Sequence, residues 1–382
     1  MNKKKYNIVY ITPSLYMAGG VERVLTLKAN YFAENCGYDV SIITTDGNVK
    51  DYFFSLSDKV HVINLDINFE EMWHHSFLKR LFIYIPKEKE YKKKLSEELY
   101  RLRPDITISL MRREINFLTD IHDGSKKIGE IHINRAHYRN FTPNRSNLFK
   151  NLFAKYWMHG LVDKVKQLDR FVVLTEYDRQ AWQEIPRVDV IPNPLPFYPN
   201  EISSSRRKRV IAVGRYFDEK GYDLLLKAWA IVEKKCGDWE LDIYGDGAKS
   251  YYERIADSLN LDRMRCRLND STSDVQKEYL DSSFFVCTSR FEGFGMGIIE
   301  AMACGLPVVA FDCLWGPRSI ISDGEDGLLV ENGNVIKLAD TMIRLMQKPE
   351  RIAEMGQKAR DNVRRFSMED VAKRWKRLFD SL

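Results

Sequence analysis

Short apolar runs alternate with helical patterns along the whole chain, and no other feature restricts its fold as much. In the first half the strand candidates are YNIVYIT (6–12), DVSIITT (39–45), KVHVINL (59–65), DITISL (105–110), KKIGEIHI (126–133) and RFVVLT (170–175). Between the first two lies VERVLTLKANYFAENCG, whose apolar spacing fits one buried stripe and whose Cys36-Gly37 end fits a helix C-cap. The implied unit is a repeated βαβ, and hence a parallel sheet covered by helices.

The pattern breaks at DVIPNPLPFYPNEISSSRRKR (189–209), where four prolines and a serine run can continue neither a helix nor a central strand. A second series follows in RVIAVGR, WELDIYGDG, MRCRLND, FFVCTS, PVVAFD and GLLV, and MEDVAKRWKRLFDSL reads as an amphipathic helix with Trp375, Leu378 and Phe379 on its apolar side. A chain of 382 residues is too long for one hydrophobic core. The expected division is an N-terminal domain over 1–190, a linker over 191–208, a C-terminal domain over 209–364, and a helix over 365–382 packing back on the N-terminal domain. Two doubly wound domains would meet at a cleft, and open α/β sheets bind ligands outside the carboxyl ends of their strands.

Several function classes are set aside by composition. No apolar run reaches the length of about 18 residues that a membrane span needs, and the opening MNKKKYNIVYIT reads as a first strand rather than a signal peptide. Six scattered cysteines without a CxxC pair suit free thiols in a reducing cytoplasm, and seven histidines without ligand spacing give no zinc site. A net charge of +5, from 59 basic and 54 acidic residues, does not argue for nucleic acid. Basic residues do gather at Lys87–Lys94 and, interleaved with aromatics, at Arg139–Lys166. Such stretches are either solvated helix faces or a surface that lies on anionic lipid.

Three glycine-bearing loops carry candidate chemistry. ITPSLYMAGGVERV puts Gly19 and Gly20 between a strand and a helix, where a missing Cβ serves a tight turn or lets amides face an anion. In IAVGRYFDEKGYDLLLKAW, Arg215 follows a strand while Lys220 and Gly221 precede a helix; an Arg and a Lys at two ends of one loop suit a diphosphate. In SRFEGFGMGIIEAMACGLPVVAFD, Glu292 is followed by Gly293, Phe294, Gly295, Met296 and Gly297, then by a helix carrying Glu300. A turn of successive amides at that helix start is an anion cradle. The two acids need not share a helix face and suit different parts of one ligand, Glu300 a ribose diol and Glu292 a sugar beyond the diphosphate. A carboxylate among Ile298, Ile299, Ala301 and Met302 also needs a polar partner.

This stretch resembles the E-x7-E signature of the retaining glycosyltransferases of family 4. MAGGVERV resembles their N-terminal glycine loop, IPNPLP their interdomain segment, VGRYFDEKG their Arg and Lys diphosphate site, and DGEDGLLV the strand after the signature. The resemblance covers nearly the whole chain. It implies an α/β fold of GT-B architecture: two Rossmann-like doubly wound parallel-sheet domains facing across a cleft. It implies a nucleotide-sugar donor, with UDP rather than GDP by family habit, no obligatory metal, and Arg215 and Lys220 on the diphosphate. Glu300 would hold the ribose and Glu292 the donor sugar, with the amides after Glu292 and at Gly19 and Gly20 completing the phosphate site. It also implies a histidine after a middle N-terminal strand. KKIGEIHINRAHYR offers His132 for that place and His137 as a second choice, and strand alternation puts Glu130 on the same face as His132. Many relatives have an acid after the GP turn that follows the signature, where this chain has Ser319; Trp315 in the same loop would shape the sugar pocket or cover the core.

The expected activity is therefore transfer of a sugar to a glycan or lipid-linked glycan acceptor, in bacterial surface polysaccharide or lipopolysaccharide synthesis, by a cytoplasmic enzyme peripheral to an anionic membrane. Rival readings are a sugar-nucleotide epimerase of the same architecture, a binding-only scaffold, and a nicotinamide-dependent oxidoreductase. The last takes Gly293, Gly295 and Gly297 with Asp312 as a dinucleotide fingerprint, but leaves Arg215, Lys220 and Glu292 without roles.

Overall fold

The computed structural model describes residues 4–47, 52–74, 77–140, 158–204, 207–313 and 315–382. The chain divides into two compact units, Met1–Pro194 with Met368–Leu382, and Leu195–Ser367.

Among the described residues the first unit has seven strands: β1 (Asn7–Ile11), β2 (Asp39–Thr44), β3 (Val60–Asn64), β4 (Ile106–Ser109), β5 (Lys126–Glu130), β6 (Arg170–Val173) and β7 (Val188–Val190). All pairings are parallel, in the order β3-β2-β1-β4-β5-β6-β7. The seventh strand is not among the sequence candidates, although it lies within the expected N-terminal domain of 1–190. Three residues beside Ile191-Pro192 are too few to show a strand period, and only pairing with β6 makes them one.

Pleating decides which helix covers which face. Ile8 and Tyr10 of β1 join a core with Phe32 of helix Gly20–Asn35 and with Trp375, Leu378 and Phe379 of helix Met368–Asp380. Val9 and Ile11 point the other way, into a core with Tyr91, Leu95 and Leu99 of helix Phe77–Leu102. At the end of β5 a buried ion pair crosses the first of these faces. Both oxygens of Glu130 accept from the Lys28 ammonium of helix Gly20–Asn35, and that ammonium lies 4.7 Å from the centroid of the Trp375 ring. Burial alone would raise the Glu130 pKa, but Lys28 and His132 outweigh it and bring it down to about 2.

The second unit contains β8 (Arg209–Val213), β9 (Glu240–Tyr244), β10 (Cys266–Asn269), β11 (Phe284–Cys287), β12 (Val308–Phe311) and β13 (Gly327–Val330). Again every pairing is parallel, in the order β10-β9-β8-β11-β12-β13. Helix Tyr222–Lys235 buries Leu225, Leu226 and Trp229 against this sheet, and helix Val335–Met346 adds Leu338 and Met342. The proline-rich segment before β8 is packed on this unit. Ser203 N donates to Cys304 O at 2.9 Å, and the Arg360 guanidinium stacks on Tyr198 at 4.2 Å while donating to the Pro199 carbonyl.

Two predictions follow from the first unit. Trp375→Ala should lower its unfolding free energy by about 3–5 kcal/mol, the usual cost of emptying a fully buried tryptophan site, read from urea unfolding. Glu130 has a folded pKa below its ordinary 4.5, so its contribution is present above that value and lost as pH falls toward about 2. The stability gap between wild type and Glu130→Gln should therefore be full at neutral pH and shrink progressively below about pH 4.5, read from urea midpoints at successive pH values.

Candidate active site

In each sheet the chain order reverses between neighbouring strands, at β1/β4 and at β8/β11. Loops leaving the carboxyl ends of such a pair diverge to opposite faces and leave a crevice. The strongest cluster of sequence-predicted residues lies at the β8/β11 crevice.

There the loops are bound backbone to backbone. Gly221 has φ 63° and starts helix Tyr222–Lys235; a Cβ at this position would lie 2.1 Å from the Thr288 carbonyl oxygen, so glycine is required both for conformation and for space. Thr288 Oγ1 donates to Lys220 O at 3.0 Å, and Arg290 N donates to Glu219 O at 2.8 Å. The Arg290 guanidinium donates to Asp218 O at 2.5 Å and to the Asp223 carboxylate at 2.9 Å.

These ties bring together the two groups that matter most. Lys220 Nζ lies 2.6 Å from Glu292 Oε1, and the same oxygen accepts from Ser289 Oγ at 2.6 Å. Burial works against the lysine charge, but the Glu292 carboxylate outweighs it and raises the Lys220 pKa. Lys220 and Glu292 line one small cavity together with Tyr222, Cys287, Gly295 and Gly297. Gly316 closes on Glu292 from behind, since a Cβ there would fall 2.6 Å from Glu292 Cβ. The preceding Trp315 is held at φ 82°, and its carbonyl accepts from Ser319 Oγ at 2.6 Å, so the serine that departs from the family pattern fastens this loop.

Helix Met296–Ala303 starts beside this pair. Its N-cap, Gly295, has φ 109° and no capping side chain, so the first-turn amides are not capped locally. Gly293 and Met296 are partly buried. Phe294 is 4% exposed and meets Phe366 edge-on at 5.4 Å, so its side chain serves packing.

Other predicted residues stand apart from the Lys220–Glu292 cavity. Arg215 is half-exposed and pairs with Glu219 at 3.0 Å, with Phe217 4.9 Å from its guanidinium. Glu300 is 5% exposed and accepts from the Tyr279 hydroxyl at 3.3 Å. Tyr279 is a polar partner of the kind a buried acid requires, and the sequence did not point to it because it comes from a different helix, Val275–Leu280.

In the first unit, Gly19 is the N-cap of helix Gly20–Asn35, and the Glu22 side chain folds over it: a Cβ on Gly19 would lie 2.0 Å from Glu22 Oε2. His132 follows β5 by two residues, and its Nε2 is 3.2 Å from Glu130 Oε1. Nδ1 of the same ring is buried and has no hydrogen-bond partner among the described residues. His137 instead pairs with Asn134 Oδ1 at 2.8 Å, inside its own turn.

The remaining expectations have local answers. All six cysteines are free thiols. Among the described residues no helix is long and apolar enough to cross a membrane, and no His, Cys, Asp and Glu cluster could hold a metal. Asp312, the acid of the dinucleotide reading, is paired with Arg318 at 2.8 Å. Of the basic stretches, Lys87 donates to Asn68 O at 2.9 Å, Lys92 pairs with Asp120 at 3.1 Å, and Lys94 donates to Leu65 O at 2.9 Å. Most of Arg139–Lys166 lies outside the described residues.

Comparison with known proteins is consistent with this geometry. The profile of the family "Glycosyl transferases group 1" matches residues 198–362. Over 365 residues the chain is 32% identical to an uncharacterized glycosyltransferase of Haemophilus influenzae, covering 94% of this chain and 96% of that one. It is 32% identical over 265 residues to a poly(ribitol-phosphate) alpha-N-acetylglucosaminyltransferase of Staphylococcus aureus, covering 68% of this chain and about half, 52%, of that longer protein. Staphylococcus aureus TarM, solved with UDP and alpha-GlcNAc-glycerol, superposes with a TM-score of 0.78 at 20% identity, over 98% of this chain and 100% of that one, which supports the fold. The oxidoreductase reading is thereby overturned. The two parallel α/β units are those of the GT-B fold, and the chain belongs to the group 1 glycosyl transferases, family 4, as a glycosyltransferase.

Proposed function

We propose that this glycosyltransferase moves a sugar from a UDP-sugar, with retention of anomeric configuration, to a glycan or lipid-linked glycan in the assembly of a bacterial surface polysaccharide or lipopolysaccharide. The observation that carries the reading is the Lys220–Glu292 contact of 2.6 Å at the β8/β11 switch point, a cation and an anion at the place where a doubly wound sheet takes a nucleotide. Relatives named for transfer to poly(ribitol-phosphate) and for amylovoran biosynthesis support a surface polymer as acceptor, and UDP in the TarM structure supports the base.

In this reading Lys220 exchanges its carboxylate partner for the diphosphate, and Arg215 leaves Glu219 to join it. Both stabilise the leaving diphosphate as charge develops on it, with the first-turn amides after Gly295. Glu292, freed from Lys220, takes the donor sugar through its hydroxyls with the backbone of Gly293, Phe294, Gly295 and Met296 around it. Glu300 holds the ribose diol, with Tyr279 keeping its carboxylate oriented. By resemblance alone, Gly19 and Gly20 are assigned to phosphate and His132 to a sugar hydroxyl. Peripheral attachment to anionic membrane rests on Arg139–Lys166; pelleting with anionic vesicles at low salt is its check, and failure to pellet removes that clause. An epimerase of the same architecture would alter the nucleotide sugar with no acceptor present, so product analysis without acceptor separates the two.

Calorimetric titration with EDTA present should show UDP binding, weakened about tenfold or more in Lys220→Ala by loss of a charge-assisted contact; binding of NADH and not of UDP would overturn the reading. Glu300→Ala should weaken UDP binding, while Glu292→Ala should lower turnover more than binding, read from kcat and KM for the donor. Small and equal effects of both would undo the division of roles.

A further inference from the structure

We propose that Lys28 and Glu130 are positioning residues for sugar transfer, holding His132 with its ring proton on Nε2 and its unpaired Nδ1 left to accept from a substrate hydroxyl. The proposal rests on the reading of His132 as a residue of the reaction.

Hydrogen-bond bookkeeping supports it. Glu130 is 2% exposed, both its oxygens accept from Lys28, and Oε1 also lies 3.2 Å from His132 Nε2. An ionised carboxylate can only accept, so the proton in the third contact must belong to Nε2. That leaves Nδ1 as the acceptor of the neutral ring. The His132 side chain is only 7% exposed, and its Nδ1 is buried with no partner among the described residues. An acceptor left unsatisfied in a closed environment costs stability, and a hydroxyl donor arriving from a ligand would recover it.

Lys28 has a separate part. It is 1% exposed, lies over the Trp375 ring at 4.7 Å and the Tyr10 ring at 5.5 Å, and its charge balances that of Glu130. A lone buried carboxylate would carry an uncompensated charge, which is strongly destabilising. The balanced pair fixes orientation without that penalty. Stability alone does not require such a pair, since apolar residues of equal volume in its place are often neutral or stabilising. Its place also fits a role beyond packing, because it adjoins the carboxyl end of β5, on the ligand edge of the sheet.

The test combines a ring measurement with kinetics. In protein labelled with 15N-histidine, long-range proton–nitrogen spectra of the wild type, with His132 assigned by its loss in His132→Gln, should show one protonated nitrogen, Nε2, and one bare nitrogen, Nδ1. A ring protonated on Nδ1, or on both nitrogens, overturns the proposal. Addition of UDP-glucose or UDP-N-acetylglucosamine, and separately of methyl glucoside as a hydroxyl-bearing acceptor, should shift Nδ1 in at least one arm and so identify which substrate supplies the hydroxyl; no shift in either arm overturns the proposal. The neutral double variant Lys28→Met/Glu130→Gln should bind UDP as the wild type does, yet release UDP from the donor about 100-fold more slowly, the scale of a misplaced proton-handling group. Turnover within about threefold of wild type, in a variant that binds UDP normally, would make the pair structural only. If that variant does not fold, the wild-type spectra decide alone. A wild type that neither binds UDP nor consumes either nucleotide sugar would sink the proposed function, while the tautomer remains readable.

Discussion

The C-terminal unit depends on one close approach of backbone to backbone, Gly221 against the carbonyl of Thr288. Because the contact admits no Cβ, the loop after β8 lies directly against the loop after β11, and Lys220 is one residue away from it. The bonds from Thr288 to Lys220 and from Arg290 to Glu219 then leave the lysine little choice of direction. Its ammonium meets Glu292 because both ends of the route are pinned. A site held in this way is preorganised by main chain rather than by side-chain packing, so it can release and retake a ligand without repacking a core.

Both units place a lysine–glutamate pair near the carboxyl ends of their strands, but the two pairs differ in access. Lys28 and Glu130 are 1% and 2% exposed, whereas Lys220 and Glu292 retain 21% and 13% of their side-chain surface. The first pair is closed and can act only by orienting its neighbour His132. The second faces a cavity, where an anionic ligand can take the place of Glu292 without stripping a bare lysine charge of partners. Exchange of partners is much cheaper than desolvation, so a lysine already paired with an acid can take an anionic ligand at lower cost than an unpaired one.

Much of this was legible in the sequence because the governing signals are local. Twelve of the strands appear as apolar runs, and Lys220-Gly221 and Glu292 to Glu300 read as loops feeding helices, since strand, glycine turn and helix start are adjacent in the chain. The alternation that put Glu130 and His132 on one face needs only two residues of strand geometry. What could not be read is non-local. Lys28 meets Glu130 from 102 positions away, and Tyr279 meets Glu300 from a separate helix. β7 has three residues beside a proline and exists only through its pairing with β6. Arg215 was expected to converge with Lys220, yet its guanidinium pairs with Glu219, one turn along. Phe294 carries a motif position whose side chain answers to Phe366, a partner 72 residues later.

The return of helix Met368–Asp380 to the first unit bears on how the chain is made. Residues 195–367 form a complete unit from one uninterrupted stretch, whereas the core around Phe32 and Tyr38 stays open on one side until Trp375 and Phe379 arrive. On the ribosome the stretch synthesised second can therefore close before the stretch synthesised first. Until Trp375 is made, Lys28 lacks one of the two aromatic rings that flank it in the folded chain. Until that helix is made, the part of the N-terminal core that Trp375 and Phe379 cover stays exposed.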